Sequence, residues 1–346
     1  MPRRNLHCLV LIAFFSLVCY QKVPGSRYSR VLADAMDRVA HRFYLPVDEL
    51  NLFEGGMSGM IKRLGDEHSI YIKAAKKQKF EEDLNQPDSV VGDSRGPNGQ
   101  WNFLLSGNRQ IGYIRISGFA EAEHGENDTV SDFRAALEQL RKEKIHGLVL
   151  DLRDNRGGSL KAAVEICDML IPKGEIVTTR GRDGQILRAY HASGKASCTG
   201  LPIAVLVNHK SASASEIVAA CLQDHDRAIV VGERSYGKGT VQEVVDLGHT
   251  FGAMKLTIAT YWRPSGLNIN RPKEDAKNDL KNASWGVSPN EGHEVHVEDN
   301  ERDRLLSWQR ESELAALSGG KITSGDQTPD RVLLRAVEYL ESKPTK

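Results

Sequence analysis

The sequence predicts an α/β protein: a layered sheet-and-helix core with an N-terminal helical region before it and a helical C-terminal tail after it. Three observations carry this. The wholly apolar runs Gly147–Leu150, Ile203–Val207 and Ala228–Val231 have the length of buried strands. Segments of helical spacing alternate with them, as in layered α/β sheets. Each run ends in a loop of small or polar residues, the place where such sheets bind ligands.

Residues 28–64 read as helical, because Val31, Ala35, Val39 and Phe43 recur at helical spacing and Met57, Met60, Ile61 and Leu64 form a second apolar set. Residues 74–109 are polar and irregular and read as a loop or small excursion. From Ile111 the pattern changes. Ile111–Ile116 is a strand, and Phe133, Leu137 and Leu140 mark a helix with Ser131 as its cap. Ala163, Ile166, Cys167 and Leu170 mark a second helix, and Ile217, Ala220 and Cys221 a third. Residues 254–262 are a long β segment, and 301–346 are mostly helical around a Gly/Ser/Thr-rich stretch at 318–328. The implied organisation is 1–25 targeting segment, 26–75 helical region, 76–109 linker, 110–292 core and 293–346 helical tail.

The N-terminus reads as an export signal. Arg3 and Arg4 precede the apolar run Leu9–Val18, which is short for a membrane span, and Val23-Pro24-Gly25 offers a cleavage site. An uncleaved membrane anchor and a lipid anchor on Cys19 are the alternatives, and all three place the protein outside the cytoplasm, in the periplasm or cell envelope. Lys+Arg and Asp+Glu both number 46, so the balance gives no support to nucleic-acid binding. Cys167, Cys198 and Cys221 show neither zinc-site nor redox spacing, and Cys221 reads as core. No metal or other cofactor is expected.

Two loops concentrate the chemistry. Ser211, Ser213 and Ser215 lie between a buried strand and a helix. A serine there is either a helix cap or a nucleophile with the next amide, that of Ala214, facing its oxyanion. One cap suffices, so three serines in five residues weaken the capping reading. Lys238 sits among glycines in Gly237-Lys238-Gly239. A phosphate-binding loop would need Ser or Thr where Gly239 stands. A lysine general base needs surroundings that favour the neutral amine, and Gln242 is placed to orient it. His146, His209 and His225 are the candidates for a histidine base, but no Gly-x-Ser-x-Gly elbow exists.

Five ordered segments resemble the C-terminal processing, or tail-specific, serine peptidases: Gly112–Phe119, Leu150–Gly158, Ser211–Ile217, Gly232–Gln242 and Tyr261–Gly266. Gly59-Met60, Leu64-Gly65-Asp66 and Ser69 resemble the segment before that family's PDZ domain. The resemblance implies endoproteolysis of protein or peptide substrates near their C-termini. It implies Ser213 as nucleophile, Lys238 as base and Gln242 as its support. The oxyanion hole would be the Ala214 amide with an amide of Gly157-Gly158, and Glu216 would stand behind them. Arg156 and Asn290 depart from the family's usual residues. The 34 residues from 76 to 109 are less than half of what a PDZ domain needs. The alternative function is a catalytically silent relative that binds peptides or other ligands.

Overall fold

The computed structural model describes residues 26–84, 90–92, 94–95, 100–105, 107–121, 128–272, 284–307 and 329–344. The proposed targeting segment at 1–25 and the stretch 318–328 lie outside the described residues. By contacts the chain divides into two compact units, one of residues 1–75 with 245–255 and one of 76–244 with 256–346.

In the first unit the helical reading holds, with a break. Helix α1 (Arg27–Arg42) buries none of its residues. The chain then passes Pro46 and restarts at Asp48, whose carboxylate accepts the Leu50 and Asn51 amides and caps α2 (Glu49–Lys62). Strand β1 (Ile70–Ile72) pairs antiparallel with Ala253–Lys255. Phe53 packs edge-on against Tyr71 and Phe251.

The second unit opens inside α3 (Ala74–Leu84), which the short strands β2 (Val90–Val91), β3 (Ser94–Arg95), β4 (Trp101–Asn102) and β5 (Leu104–Leu105) follow. This corrects the reading of 74–109 as irregular. Two-residue strands carry no readable periodicity, yet β2 and β5 both pair antiparallel with β6 (Asn108–Ile116). Beside β6 lie β7 (Gly147–Asp151), β10 (Ile203–Val207) and β11 (Ile229–Gly232), all parallel. Their side chains alternate between two covered faces. Leu148, Leu150, Ile203, Val205 and Val207 enter one apolar cluster with helices α4 (Thr129–Lys142), α5 (Leu160–Leu170) and α6 (Ala214–Asp224). Val149, Ala204 and Leu206 enter another with Val332, Ala336 and Leu340 of α7 (Arg331–Glu341). Burial on both faces explains why these strands read as unbroken apolar runs.

Asp128, not Ser131, caps α4: its carboxylate accepts the Ser131 amide, one turn inside the helix. A second set of pairings joins β8 (Glu175–Arg180) to β9 (Ile186–His191) and to Thr260–Trp262 of β13 (Ala253–Trp262), beside which β12 (Thr240–Asp246) also pairs. Cys167, Cys198 and Cys221 are buried free thiols, with Cys167 and Cys221 in the α5–α6 core. Among the described residues no helix is long and apolar enough to cross a membrane.

Candidate active site

The site forms where the loops after β7, β10 and β11 meet. The loop after β10 turns sharply to start α6, and the turn falls on Ser213, whose φ of 59° and ψ of −116° are unusual for a side-chain-bearing residue. Such a backbone costs about 1–3 kcal/mol and persists only where the surroundings hold it. Here they do. Ser211 and Ser215 are fully buried and spoken for: Ser211 Oγ donates to the Leu152 carbonyl at 2.8 Å, and Ser215 Oγ bonds the Asn155 and Ala212 carbonyls. Of the three serines only Ser213 is partly exposed.

Glu216 ties this turn to the lysine loop. It is fully buried, and four donors converge on its carboxylate. Oε1 accepts from Ser235 Oγ at 2.6 Å and from the Gly237 amide at 2.7 Å. Oε2 accepts from the Ser213 and Lys238 amides, each at 2.8 Å. The backbone nitrogens of Ser213 and Lys238 therefore lie within twice that distance of each other. Burial pushes the Glu216 carboxyl up to about 7 against the opposing pull of these donors, Ser235 foremost. Ser235 is itself fixed by accepting the Val287 amide at 2.7 Å.

The turn after β7 completes the cluster. A side chain on Gly157, at φ 103°, would meet Ser213 Cβ at 2.7 Å and the Ala214 nitrogen at 3.0 Å, so this glycine backs directly onto the serine. Its amide is committed to Asn155 Oδ1 at 2.7 Å. The Gly157 carbonyl accepts the Phe119 amide. The next amide, that of Gly158, donates to no protein group among the described residues. Asn155 is the organiser that sequence reading missed. Its side-chain nitrogen donates to the Ile116 carbonyl, and its own carbonyl accepts the Ala212 amide. The available signal was an asparagine four residues beyond an apolar strand and just before Gly157-Gly158.

Gln242 lies on β12, and its Nε2 donates to Thr240 Oγ1 at 2.7 Å and Thr257 Oγ1 at 3.3 Å. That leaves its carbonyl oxygen as the atom to meet an amine. The alternatives fare differently. His209 bonds Glu233 and Arg302, and His225 Nε2 lies 2.7 Å from the Glu175 carbonyl. Lys238 leads into a strand, whereas a phosphate-binding loop leads into a helix N-terminus. At the far end of α6, Arg263 forks onto both oxygens of Asp224 at 2.6 and 2.9 Å. Burial would raise the Asp224 carboxyl, but this fork and the Ser265 amide hold it below its usual range.

Residues 110–280, which contain all three loops, match peptidase family S41. The chain carries an S41 peptidase domain. The carboxy-terminal-processing protease of Bartonella bacilliformis is 45% identical over 163 residues, covering 46% of this chain and 36% of that protein. The carboxyl-terminal-processing protease of Picosynechococcus is 33% identical over 254 residues, covering 72% of this chain and 57% of that protein. The chain thus spans between one third and somewhat over half of these relatives. A solved structure of a proposed peptidase from Parabacteroides merdae shares the fold, with a TM-score of 0.50 at 13% identity, over 90% of this chain and 96% of that one. Ser213, Glu216, Lys238 and Gln242 all fall inside the S41 domain, as do both glycines.

The S41 turn at Gly157 makes one direct test. Gly157→Ala adds a methyl group in hard contact with Ser213 and the Ala212 carbonyl, at a φ that favours glycine. The expected cost is roughly 2 kcal/mol or more of stability. A displaced Ser213 should lower kcat/KM about 100-fold in the fraction that remains folded. Urea melts read beside peptide hydrolysis separate the two effects.

Proposed function

We propose that the chain is an exported serine endopeptidase acting on protein or peptide substrates near their C-termini through Ser213 and Lys238. The observation that carries this reading is the Glu216 carboxylate, which holds the backbone of Ser213, the partly exposed serine of the three in its loop, and of the glycine-flanked lysine on a single oxygen atom. Ser213 Oγ attacks the scissile carbonyl carbon while Lys238 Nζ takes the hydroxyl proton. The tetrahedral oxyanion is held by the amides of Ala214, at the start of α6, and Gly158, since the Gly157 amide is already engaged by Asn155. Lys238 then passes its proton to the departing amine; water gives a proton to Lys238 as it attacks the acyl carbonyl carbon, and Lys238 returns that proton to Ser213 Oγ as the acyl–oxygen bond breaks. Gln242 offers its oxygen to the lysine amine. Identity to carboxy-terminal-processing proteases supports the substrate class. Export rests on the N-terminal sequence pattern.

Residues 76–109 serve as a connection in place of a PDZ domain. In support, their described part is one helix and four two-residue strands, two of which extend the sheet of the peptidase domain. A groove that grips a substrate's terminal carboxylate is then missing from this segment. Amidating the C-terminus of a peptide substrate should therefore change its cleavage rate less than about threefold, under 1 kcal/mol. Paired hydrolysis assays of free and amidated peptides test this, and a tenfold loss on amidation would contradict it.

A further inference from the structure

Helix α1 has the pattern of a packed helix, yet it buries none of its residues. Tyr28, Leu32, Ala35 and Val39 follow one another at intervals of four, three and four, which sets them on one face. The C-cap residue Phe43 extends that face, and Val31 borders it. Tyr28 is 71% exposed, Val31 68% and Leu32 54%, and within the helix only Met36 and Ala40 are half-buried. Helices of about this length take most of their stability from a packed apolar face and are marginal in water without one. The stripe on α1 therefore calls for a cover that the described residues do not provide.

The charges around the stripe indicate what that cover is. Helical spacing puts Arg27, Arg38 and Arg42 along one edge of it, and Asp34 and Asp37 on the far side. Both aspartates are already engaged, Asp34 by Arg38 at 2.8 Å and Asp37 by His41 at 3.3 Å. Arg30 and Arg42 have no carboxylate partner among the described residues, and Arg27 lies over the Tyr28 ring. The helix is thus cationic beside its apolar face. Its ends are aromatic, with Tyr28 at one and the edge-on pair Phe43 and Tyr44 at the other. An apolar stripe, aromatic ends and an arginine edge suit the interface of an anionic bilayer. The sequence adds position, since the apolar run Leu9–Val18 lies shortly before the N-cap, Ser26. Two copies packed antiparallel on this face would instead gather both arginine edges on one side.

We propose that α1 lies on an anionic lipid surface, with the Tyr28–Phe43 stripe turned into the interface and Arg27, Arg38 and Arg42 meeting lipid phosphates. It lies along the membrane and does not cross it, because 16 residues carrying four arginines are too short and too charged to span. The contact is independent of the segment before it. It keeps the chain at the envelope membrane even when a cleavable signal has been removed.

The test is hydrogen–deuterium exchange on the full chain, read by mass spectrometry, because peptides from 27–43 report on α1 separately from the apolar run before it. The probes are vesicles of phosphatidylcholine alone and of phosphatidylcholine with phosphatidylglycerol in a ratio of about two to one. With the anionic vesicles, exchange across α1 should slow by about tenfold or more, and with the neutral ones far less. Val31→Asp combined with Val39→Asp should abolish that protection, and Arg27→Gln combined with Arg42→Gln should weaken it by about tenfold. None of these side chains is buried, so α2 and the S41 domain should exchange as in the wild type, which shows that the variants fold. Three results overturn the proposal, whether or not the chain is a peptidase: an α1 indifferent to anionic vesicles, equal protection by neutral ones, or lipid-free protection that grows with protein concentration and marks a second copy as the cover.

Discussion

Ser213→Ala and Lys238→Ala each reduce peptide hydrolysis by about 10⁴-fold or more while the chain stays folded, and the double variant is no worse than either single one. Nucleophile and base act as a unit, so their losses do not add. Ser213 is partly exposed and Lys238 leads into β12 from a loop, so neither truncation removes core packing. The neighbouring serines should behave in the opposite way. Ser211→Ala and Ser215→Ala each break buried hydrogen bonds to backbone carbonyls, at about 1–3 kcal/mol of stability, and the folded fraction keeps its turnover. Kinetics on folded protein, with stability from denaturant melts, resolve the four variants. An active Ser213→Ala with an inactive Ser215→Ala would move the nucleophile by two positions.

The second large effect is expected at Glu216. Glu216→Ala removes the acceptor of four donors at once, each left unsatisfied at about 1–3 kcal/mol, and the peptidase domain should fail to fold stably. Glu216→Gln keeps the volume but turns an amide N–H₂ toward donors. It should lower kcat by about 10²-fold with little change in KM, because it misplaces the reacting groups and not the substrate. The pH dependence has a definite sign. With its carboxyl raised to about 7, Glu216 contributes stability in full below its ordinary value of 4.5 and loses it as pH rises through 7. Wild-type stability should therefore decline across that window relative to Glu216→Gln. Activity should run the other way, since four donors are arranged for the ionised form, and kcat/KM should climb through pH 7. A climb that disappeared on replacing His209 or His225 would point to a histidine base.

The parts of this arrangement differ in how plainly they were written in the sequence. Strands β7, β10 and β11 were legible because burial on both faces demands continuous apolar runs. Helices α4 and α5 were legible because their other face is polar, whereas α6 is buried from Ala214 to Leu222 and shows only the spacing of Ile217, Ala220 and Cys221. The edge strands β2 and β5 were not, since a strand of two residues has no period and is recruited by the exposed edge of β6. The candidate nucleophile needed more than composition: among Ser211, Ser213 and Ser215 the family resemblance pointed to Ser213, and their hydrogen bonds and exposure supply the physical difference between them. The Glu216 clamp was out of reach. Its partners Ser235, Gly237 and Lys238 come 19 to 22 residues later, and only folding brings them onto one carboxylate. The proposal of Gly158 in place of Gly157 as oxyanion donor likewise rests on Asn155, whose side chain occupies the first amide.

The most direct test of the central assignment is covalent labelling with a fluorophosphonate, followed by mass spectrometry of the labelled peptide. The assignment expects a single adduct on Ser213, absent in Ser213→Ala and strongly slowed in Lys238→Ala, where the serine has lost its base. An adduct on Ser211, Ser215 or Ser235, or full proteolysis by the Ser213→Ala protein, would contradict it.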